Sequence, residues 1–249
     1  MILRCGNGLI DAESNLVALA GVRAKTANFS GLGAPTLRVE RSSVELPNGI
    51  ALSGSPAPWG FVKFSGRTLL AHIPDDAFAA EAALRIAWQF LIMEQGGVLL
   101  HSSSFHWNGR GVMAVAQSGG GKSTIARLSL AAGATLLSDE VTAVFPDGQI
   151  FGTPFRSDTE EPGSPGPARL RGFFLLAKGN EERVDVVDAR EAIPAMWAQT
   201  FRPFDALAQA RGPWFERLTL AASAVGTYRL TFRKDPQAGV FVRDWATRG

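Results

Sequence analysis

The chain has 249 residues, which is enough for one large domain or for a small domain joined to a medium one, each with its own hydrophobic core. Hydrophobic residues make up 46% and charged residues 19% of the sequence, a balance typical of globular proteins. With 25 basic and 23 acidic residues the net charge is +2, which excludes a strong electrostatic attraction to nucleic acid or to a membrane surface.

The sequence predicts a cytoplasmic protein. Its first residues contain no apolar segment of the kind found in signal peptides. The longest apolar region, 79–93, is interrupted by Glu81 and Arg85 and is too short to span a membrane. The single cysteine, Cys5, excludes an internal disulfide and a cysteine-based metal cluster, which is typical of a reducing compartment.

Residues 1–72 are predicted to form a small β-rich region. Polar and apolar residues alternate at 36–40 and at 44–46, and a hairpin is predicted that joins 61–64 to 68–71. No pattern in this region indicates chemistry. We expect it to shield or extend the second part of the chain, and substrate recognition is the less favoured alternative.

The second predicted domain covers 73–249 and begins with a helix. The adjacent acids 75–76 can cap its N-terminus, apolar residues recur at helical spacing, and glycines near 96 end it. Two short apolar strands are predicted next, at 98–101 and 103–107.

The stretch 116–124 has the pattern of a phosphate-binding P-loop, since an apolar strand precedes it and a helical pattern follows. Its three glycines allow successive backbone N–H groups to point into one concavity, to which the helix adds its positive N-terminal end. Ala116 stands where the usual pattern G-x-x-x-x-G-K-[ST] has glycine, which is tolerated if its φ is negative. The residues predicted to bind the nucleotide are Ser118, Gly119, Gly120, Gly121, Lys122, Ser123 and Thr124.

Within this loop, Lys122 is predicted to reach the β- and γ-phosphates, and Ser123 to offer its hydroxyl to a nucleotide-bound Mg²⁺. The next strand, 134–138, leads directly into Asp139 and Glu140. Most P-loop proteins place the second acidic motif much further along the chain. A carboxylate here can hold Mg²⁺ beside the loop, while its neighbour takes a proton from an attacking hydroxyl. Which acid carries which task stays open.

The rest of the chain is predicted to alternate strands and helices around one long loop. The loop, 153–168, is rich in proline and glycine and is interpreted as a lid over the nucleotide or the substrate. The other predicted elements are strands at 141–144, 149–152 and 170–177, helices at 188–200 and 204–222, and strands at 227–232 and 239–242.

Three segments, 97–101, 118–123 and 137–140, resemble the catalytic domain of HPr kinase/phosphorylase and, more distantly, the nucleotide core of ATP-dependent phosphoenolpyruvate carboxykinases. The resemblance is good over 80–155. It implies an α/β P-loop kinase domain of that type, with a mixed sheet and flanking helices, preceded here by the β-rich region. It also implies that His101 lies near the transferred phosphate, that the loop binds ATP or GTP, and that Asp139 and Glu140 supply the base and the metal contact.

The closer resemblance is to short HPr-kinase-like proteins, some of which look like kinases acting on peptide precursors. It implies a serine hydroxyl of a peptide or protein as acceptor, and the hexamers of related HPr kinases make a homo-oligomer an open possibility. The predicted catalytic residues are therefore His101, Lys122, Asp139 and Glu140, and the predicted metal ligands are Ser123, Asp139 and Glu140. Two alternatives remain, a nucleotide sensor without phosphate transfer and a kinase for a small molecule.

Three further residues carry weaker signals: His106, Arg156 and Arg171. His106 is interpreted as structural, because a zinc site built from His101 and His106 lacks further ligands at suitable spacing. Arg156 and Arg171, at the two ends of the predicted lid, are candidates for neutralising a transferred phosphate, since a guanidinium group pairs well with phosphate oxygens.

Overall fold

The structure is a computed structural model that describes residues 1–13, 34–52, 58–155, 159–161, 163–201 and 208–248. These residues form a mixed α/β protein with two mixed sheets, which confirms the predicted α/β class. The chain divides into two compact units, Met1–Gln95 and Gly96–Gly249. No helix among the described residues is both long enough and apolar enough to cross a membrane.

The first unit contains a six-stranded sheet in the order β1-β2-β3-β6-β5-β4. The predicted hairpin is confirmed as β5 and β6. The strand predicted at 44–46 is wrong, because the Ser42 hydroxyl accepts a hydrogen bond from Val44 N–H and forms a local turn. The strands are β1 (Ile2–Cys5), β2 (Gly8–Ala12), β3 (Leu37–Arg41), β4 (Ile50–Leu52), β5 (Gly60–Ser65) and β6 (Thr68–His72).

Helix α1 (Ala77–Glu94) begins where the sequence predicts it. The Asp76 side chain is the N-cap and accepts a hydrogen bond from Ala79 N–H at 2.9 Å. The helix packs against β1, β2 and β3. It therefore belongs to the first unit, whereas the boundary expected after residue 72 assigns it to the second.

The second unit contains an eight-stranded sheet in the order β11-β10-β7-β8-β12-β14-β13, with β9 paired to β7. In the centre of this sheet, β12 runs parallel to both of its neighbours, β8 and β14. All other strand pairs of the sheet are antiparallel, for example β7 with β8. The strands are β7 (Val98–Trp107), β8 (Arg110–Val115), β9 (Thr135–Ser138), β10 (Val141–Val144), β11 (Gln149–Phe151), β12 (Ala168–Lys178), β13 (Arg183–Val186) and β14 (Thr227–Phe232).

Strand β7 is one continuous element, which corrects the two strands predicted at 98–101 and 103–107. The serines at 102–104 are fully buried, and each of their hydroxyls has a hydrogen-bond partner. Ser102 N–H donates to Glu140 O, and the Ser104 hydroxyl lies 2.7 Å from the Thr142 hydroxyl. A run of polar residues often marks the end of a strand at the surface. Here the strand continues, because the hydrogen-bonding groups of the serines have partners inside the protein.

The described helices of the second unit are α2 (Lys122–Ala131), α3 (Ala189–Trp197), α4 (Ala208–Val225) and α5 (Pro236–Thr247). Helix α4 continues through Pro213. The strand predicted at 239–242 is wrong, since these residues lie in α5. Asp235 caps this helix by accepting from Gln237 N–H, and Pro236 occupies its first turn, so a local start signal outweighs the apolar run that suggested a strand.

The hydrophobic core of the second unit fixes the two elements that flank the P-loop stretch, strand β8 before it and helix α2 after it. Helices α2 and α5 pack on each other and on β7 and β8. Burial of each large apolar side chain contributes about 1.5–3 kcal/mol, so β8 and α2 are fixed firmly on either side of the loop that joins them. The buried residues are Phe105, Trp107, Val112, Ala114, Ile125, Ala126, Leu136, Phe174, Leu230, Phe232, Ala238, Val242 and Ala246.

His106 has a structural role at the turn between β7 and β8, and this role predicts a pH effect. Its Nδ1 accepts a hydrogen bond from Gly109 N–H at 3.2 Å, which requires an unprotonated Nδ1, and burial lowers the pKa of His106 below 6.5. Below pH 6.5 the unfolded chain takes up this proton more readily than the folded chain. We therefore expect the free energy of unfolding to fall as the pH drops from 7 towards 5.

Urea unfolding at several pH values measures this effect. The His106→Gln variant is the control, because glutamine offers an amide oxygen to Gly109 N–H and does not titrate. The variant should show a shallower loss of stability over the same pH interval. An equal loss in both proteins would contradict the assignment to His106.

Candidate functional site

The P-loop stretch connects the buried strand β8 to helix α2. Gly119 and Gly121 have φ values of +73° and +98°, which side chains rarely allow. A Cβ atom at Gly120 would lie 2.5 Å from the Ala116 Cβ, so this position also needs glycine. Ala116 does not have a positive φ; among the described residues other than glycine, only Asn48 and Asn108 do. The departure from the usual pattern therefore causes no backbone strain.

Lys122 lies across the loop rather than on the surface. Its Nζ donates to Ala116 O at 2.9 Å and to Gln117 O at 3.4 Å, and the residue is 7% exposed. Burial lowers the pKa of Lys122, while the negative charge of Glu140 acts in the opposite direction. The ammonium group is thus held close to the loop carbonyls, where phosphate oxygens are a suitable additional partner.

The two acids occupy a short interruption between β9 and β10, both of which pair with β7. The Ser138 hydroxyl accepts hydrogen bonds from the N–H groups of Glu140 and Val141, which closes the turn. The Ser103 hydroxyl donates to the Asp139 carbonyl at 3.4 Å. Side-chain hydroxyls and the β7 backbone therefore fix both acids in the sheet.

The Asp139 side chain is almost fully buried and is held by the proline-rich loop. Asp139 is 1% exposed, and its Oδ2 accepts a hydrogen bond from Thr159 N–H at 2.9 Å. A hydrogen bond from the backbone amide fixes the orientation of this carboxyl group. The long loop is thus connected directly to this acid.

His101 of β7 lies beside Glu140, which directly precedes β10. His101 Nδ1 lies 3.6 Å from Glu140 Oε1, and the two side chains are 34% and 16% exposed. The backbone N–H of His101 donates to Gln199 O at 2.7 Å. The imidazole therefore lies beside the carboxylate with a fixed backbone and with part of the ring open to solvent.

The loop, the acids and the histidine line one cavity of about 350 Å³. Of the predicted site residues, Gly120 is the one that does not line it, and it lies within the loop. Arg127 of helix α2 also lines the cavity and was missed in the sequence analysis, although its spacing of four residues from Ser123 on a helix could have indicated it. The lining residues are His101, Ser118, Gly119, Gly121, Lys122, Ser123, Thr124, Arg127, Asp139 and Glu140.

The oxygen groups of the cavity fit a magnesium ion that arrives with a nucleotide. Ser123, Asp139 and Glu140 offer a hydroxyl and two carboxylates on the same cavity. Among the described residues no group of three or more His, Cys, Asp or Glu could form a complete metal site. Mg²⁺ usually binds through one or two carboxylates together with phosphate oxygens and water, so this donor set is suitable.

The weaker candidates lie elsewhere. His106 does not line the cavity, so the structure does not bring it together with His101 there. Arg171 packs over the Trp245 ring, with its guanidinium carbon 5.3 Å from the ring centre. Arg156 lies outside the described residues.

The described parts of the long loop pack along β9. Ser164 N–H donates to Leu136 O at 3.0 Å, and both Gly152 and Gly163 lie so close to the Leu137 carbonyl that neither could carry a Cβ atom. These segments are therefore held against the sheet next to the acids. The lid interpretation of the whole loop stays a prediction.

Neither a scan against models of protein families nor a search of curated proteins finds a match for this chain. The functional argument therefore rests on the residues and the geometry of the cavity.

Proposed function

We propose that this protein is an ATP-dependent kinase with an HPr-kinase-like P-loop domain, and that it transfers the γ-phosphate to a hydroxyl group, most favourably a serine of a peptide or protein. The observation that carries the proposal is that Lys122, Asp139 and Glu140 line the same cavity as the glycine loop. Phosphoryl transfer needs groups that hold the phosphates and a carboxylate that positions the acceptor. Both are present in one place.

The loop and the start of α2 supply the phosphate-binding part. Backbone N–H groups of the glycine stretch and the positive end of the helix bind phosphate oxygens, and Lys122 adds a cation that needs little reorganisation. Magnesium, held by Ser123 and the acids, would neutralise phosphate charge when it is bound with the nucleotide. GTP is an alternative to ATP, since these contacts involve only the phosphates.

Asp139 is the proposed base. Its fixed orientation and low exposure suit a group that accepts a proton from one acceptor hydroxyl and not from bulk water. His101, beside Glu140, is proposed to donate a hydrogen bond to the transferred phosphate from its exposed edge. The choice of serine as the proposed acceptor is based on the resemblance of the sequence to short HPr-kinase-like proteins.

The direct test is to incubate the protein with γ-labelled ATP, Mg²⁺ and a cell extract, and to locate the label by mass spectrometry. We expect a labelled serine in a peptide or protein, and no product with the Lys122→Ala variant, because that variant loses the cation that holds the phosphates. A protein that binds ATP but labels nothing in any extract would instead support a nucleotide sensor. A labelled metabolite would support a small-molecule kinase.

A further inference from the structure

Arg127 is a second cation of the cavity. It lies on the second turn of α2, four residues after Ser123, so the two side chains emerge from the same face of the helix. Its Nε donates to Ser123 O at 3.2 Å, and the residue is exposed while lining the cavity. This bond orients the guanidinium group and leaves its two terminal nitrogens available for a ligand.

The charge of Arg127 has no acidic partner within the described part of the chain. The ion pairs found there involve other cations, and the hydrogen bond to Ser123 O is made to a neutral carbonyl. In contrast, exposed arginines such as Arg183 and Arg233 pair with glutamate or aspartate. An oriented guanidinium at a cavity without a carboxylate partner is suited to an anionic ligand.

The balance of charge in the cavity points the same way. Without Arg127, the lining would contain one lysine, Lys122, against the two carboxyl groups of Asp139 and Glu140. A magnesium–nucleoside triphosphate adds two further negative charges. Like charges in a partly enclosed cavity repel strongly, so a second cation favours binding of this ligand.

The helix geometry favours the terminal phosphate. Side chains on a helix lean towards its N-terminus, which brings the guanidinium of Arg127 towards the level of Ser123. Ser123 is a proposed ligand of the magnesium that would be bound with the nucleotide, and Asp139 and Glu140, where the acceptor would approach, line the same cavity. A triphosphate held in this way would bring its terminal phosphate, the group facing the acceptor, towards this face of α2.

We infer that Arg127 binds the terminal phosphate of the nucleotide and makes the site discriminate a nucleoside triphosphate from a diphosphate. This inference rests on the proposed function, because it requires nucleotide binding. In this role Arg127 holds the phosphate group that is to be transferred. Because the diphosphate product lacks this contact, it leaves the site more readily.

Calorimetric titration of the full chain tests the inference with three probes, adenylyl-imidodiphosphate, ADP and AMP, each with Mg²⁺. For Arg127→Gln we expect about a tenfold or larger loss of affinity for the triphosphate analogue, since a charge-assisted bidentate contact is lost. The affinities for ADP and AMP should change by less than about threefold. Arg127→Lys should show an intermediate loss, because it keeps the charge without the planar fork.

Arg190→Gln is the matched control, since it removes an exposed helical arginine that lies outside the cavity, and it should change none of the three affinities. Equal losses for the triphosphate and diphosphate probes in Arg127→Gln, or no loss for either, would overturn the inference while leaving the proposed function intact. If the unaltered protein bound none of the probes, the proposed function itself would fail, and the inference with it.

Discussion

The Asp139→Asn variant is expected to lose phosphate transfer by about 10²–10⁴-fold, the usual range for removal of a general base, while its affinity for nucleotide stays within about threefold of the original. Asparagine has nearly the same shape, and its amide oxygen can still accept the bond from Thr159 N–H that holds the side chain at 2.9 Å. The variant therefore removes the charge and the basicity without releasing the loop. The change should appear in the rate of transfer and not in the fold.

Transfer from labelled ATP to the identified acceptor, together with calorimetric binding of an ATP analogue, measures both quantities. Asp147→Asn is the matched control, because Asp147 lies in the exposed turn between β10 and β11 and outside the cavity. It should behave like the original protein. Normal phosphorylation by Asp139→Asn would remove Asp139 from the role of base, and a Glu140→Gln variant would then show whether the neighbouring carboxylate performs it.

The Gly239→Ala variant is expected to lower the free energy of unfolding by about 3 kcal/mol, at the upper end of the range for overpacking a core. Gly239 lies where α5 packs closely on α2. An added Cβ would lie 2.5 Å from the carbonyl carbon of Leu128 and would overlap the carbonyl oxygen. These are backbone atoms of a packed helix, so the helices must separate. Because α2 begins at Lys122, nucleotide affinity should fall as well.

Urea unfolding and nucleotide titration measure these two effects. Gly212→Ala is the control, since Gly212 is also helical and, among the described residues outside its own turn of helix, none lies within 4 Å of an added Cβ. Alanine favours a helix, but Pro213 restricts the residue before it, so we expect a change within about 1 kcal/mol. Equal stability of Gly239→Ala and the original protein would show that α2 and α5 can separate at no cost, against the close packing described above.

Much of the fold could be predicted where the signal is local. The cap at Asp76, the hairpin of β5 and β6, and the strand–loop–helix context of the glycine stretch all depend on residues that are neighbours in the chain. The predicted limits of strands and domains were wrong where contacts with residues far away in the chain decide them. Strand β7 runs through three buried serines, and the hydroxyls of Ser103 and Ser104 find their partners at Asp139 O and at the Thr142 hydroxyl, far away in the sequence.

The candidate site divides in the same way. The glycines, Lys122, Ser123 and the acid pair were found from spacing alone, because the chemistry of phosphate binding requires these residue types within a short segment. Arg127 has the same helical spacing as many surface arginines, and the sequence offers no measure of which cavity it lines. Its selection required the structure, which places it beside the loop without an acidic partner in the described residues.

The amino-acid sequence was therefore sufficient for the α/β fold class and for a glycine-rich loop followed by two acids, since backbone φ requirements, capping and polar spacing act between near neighbours. Tertiary structure alone decided that α1 belongs to the first unit and that Asp139 is held by Thr159 from the long loop. These outcomes depend on burial and on hydrogen bonds between segments far apart in the chain, whose free energy is gained only when the whole sheet and its helices come together.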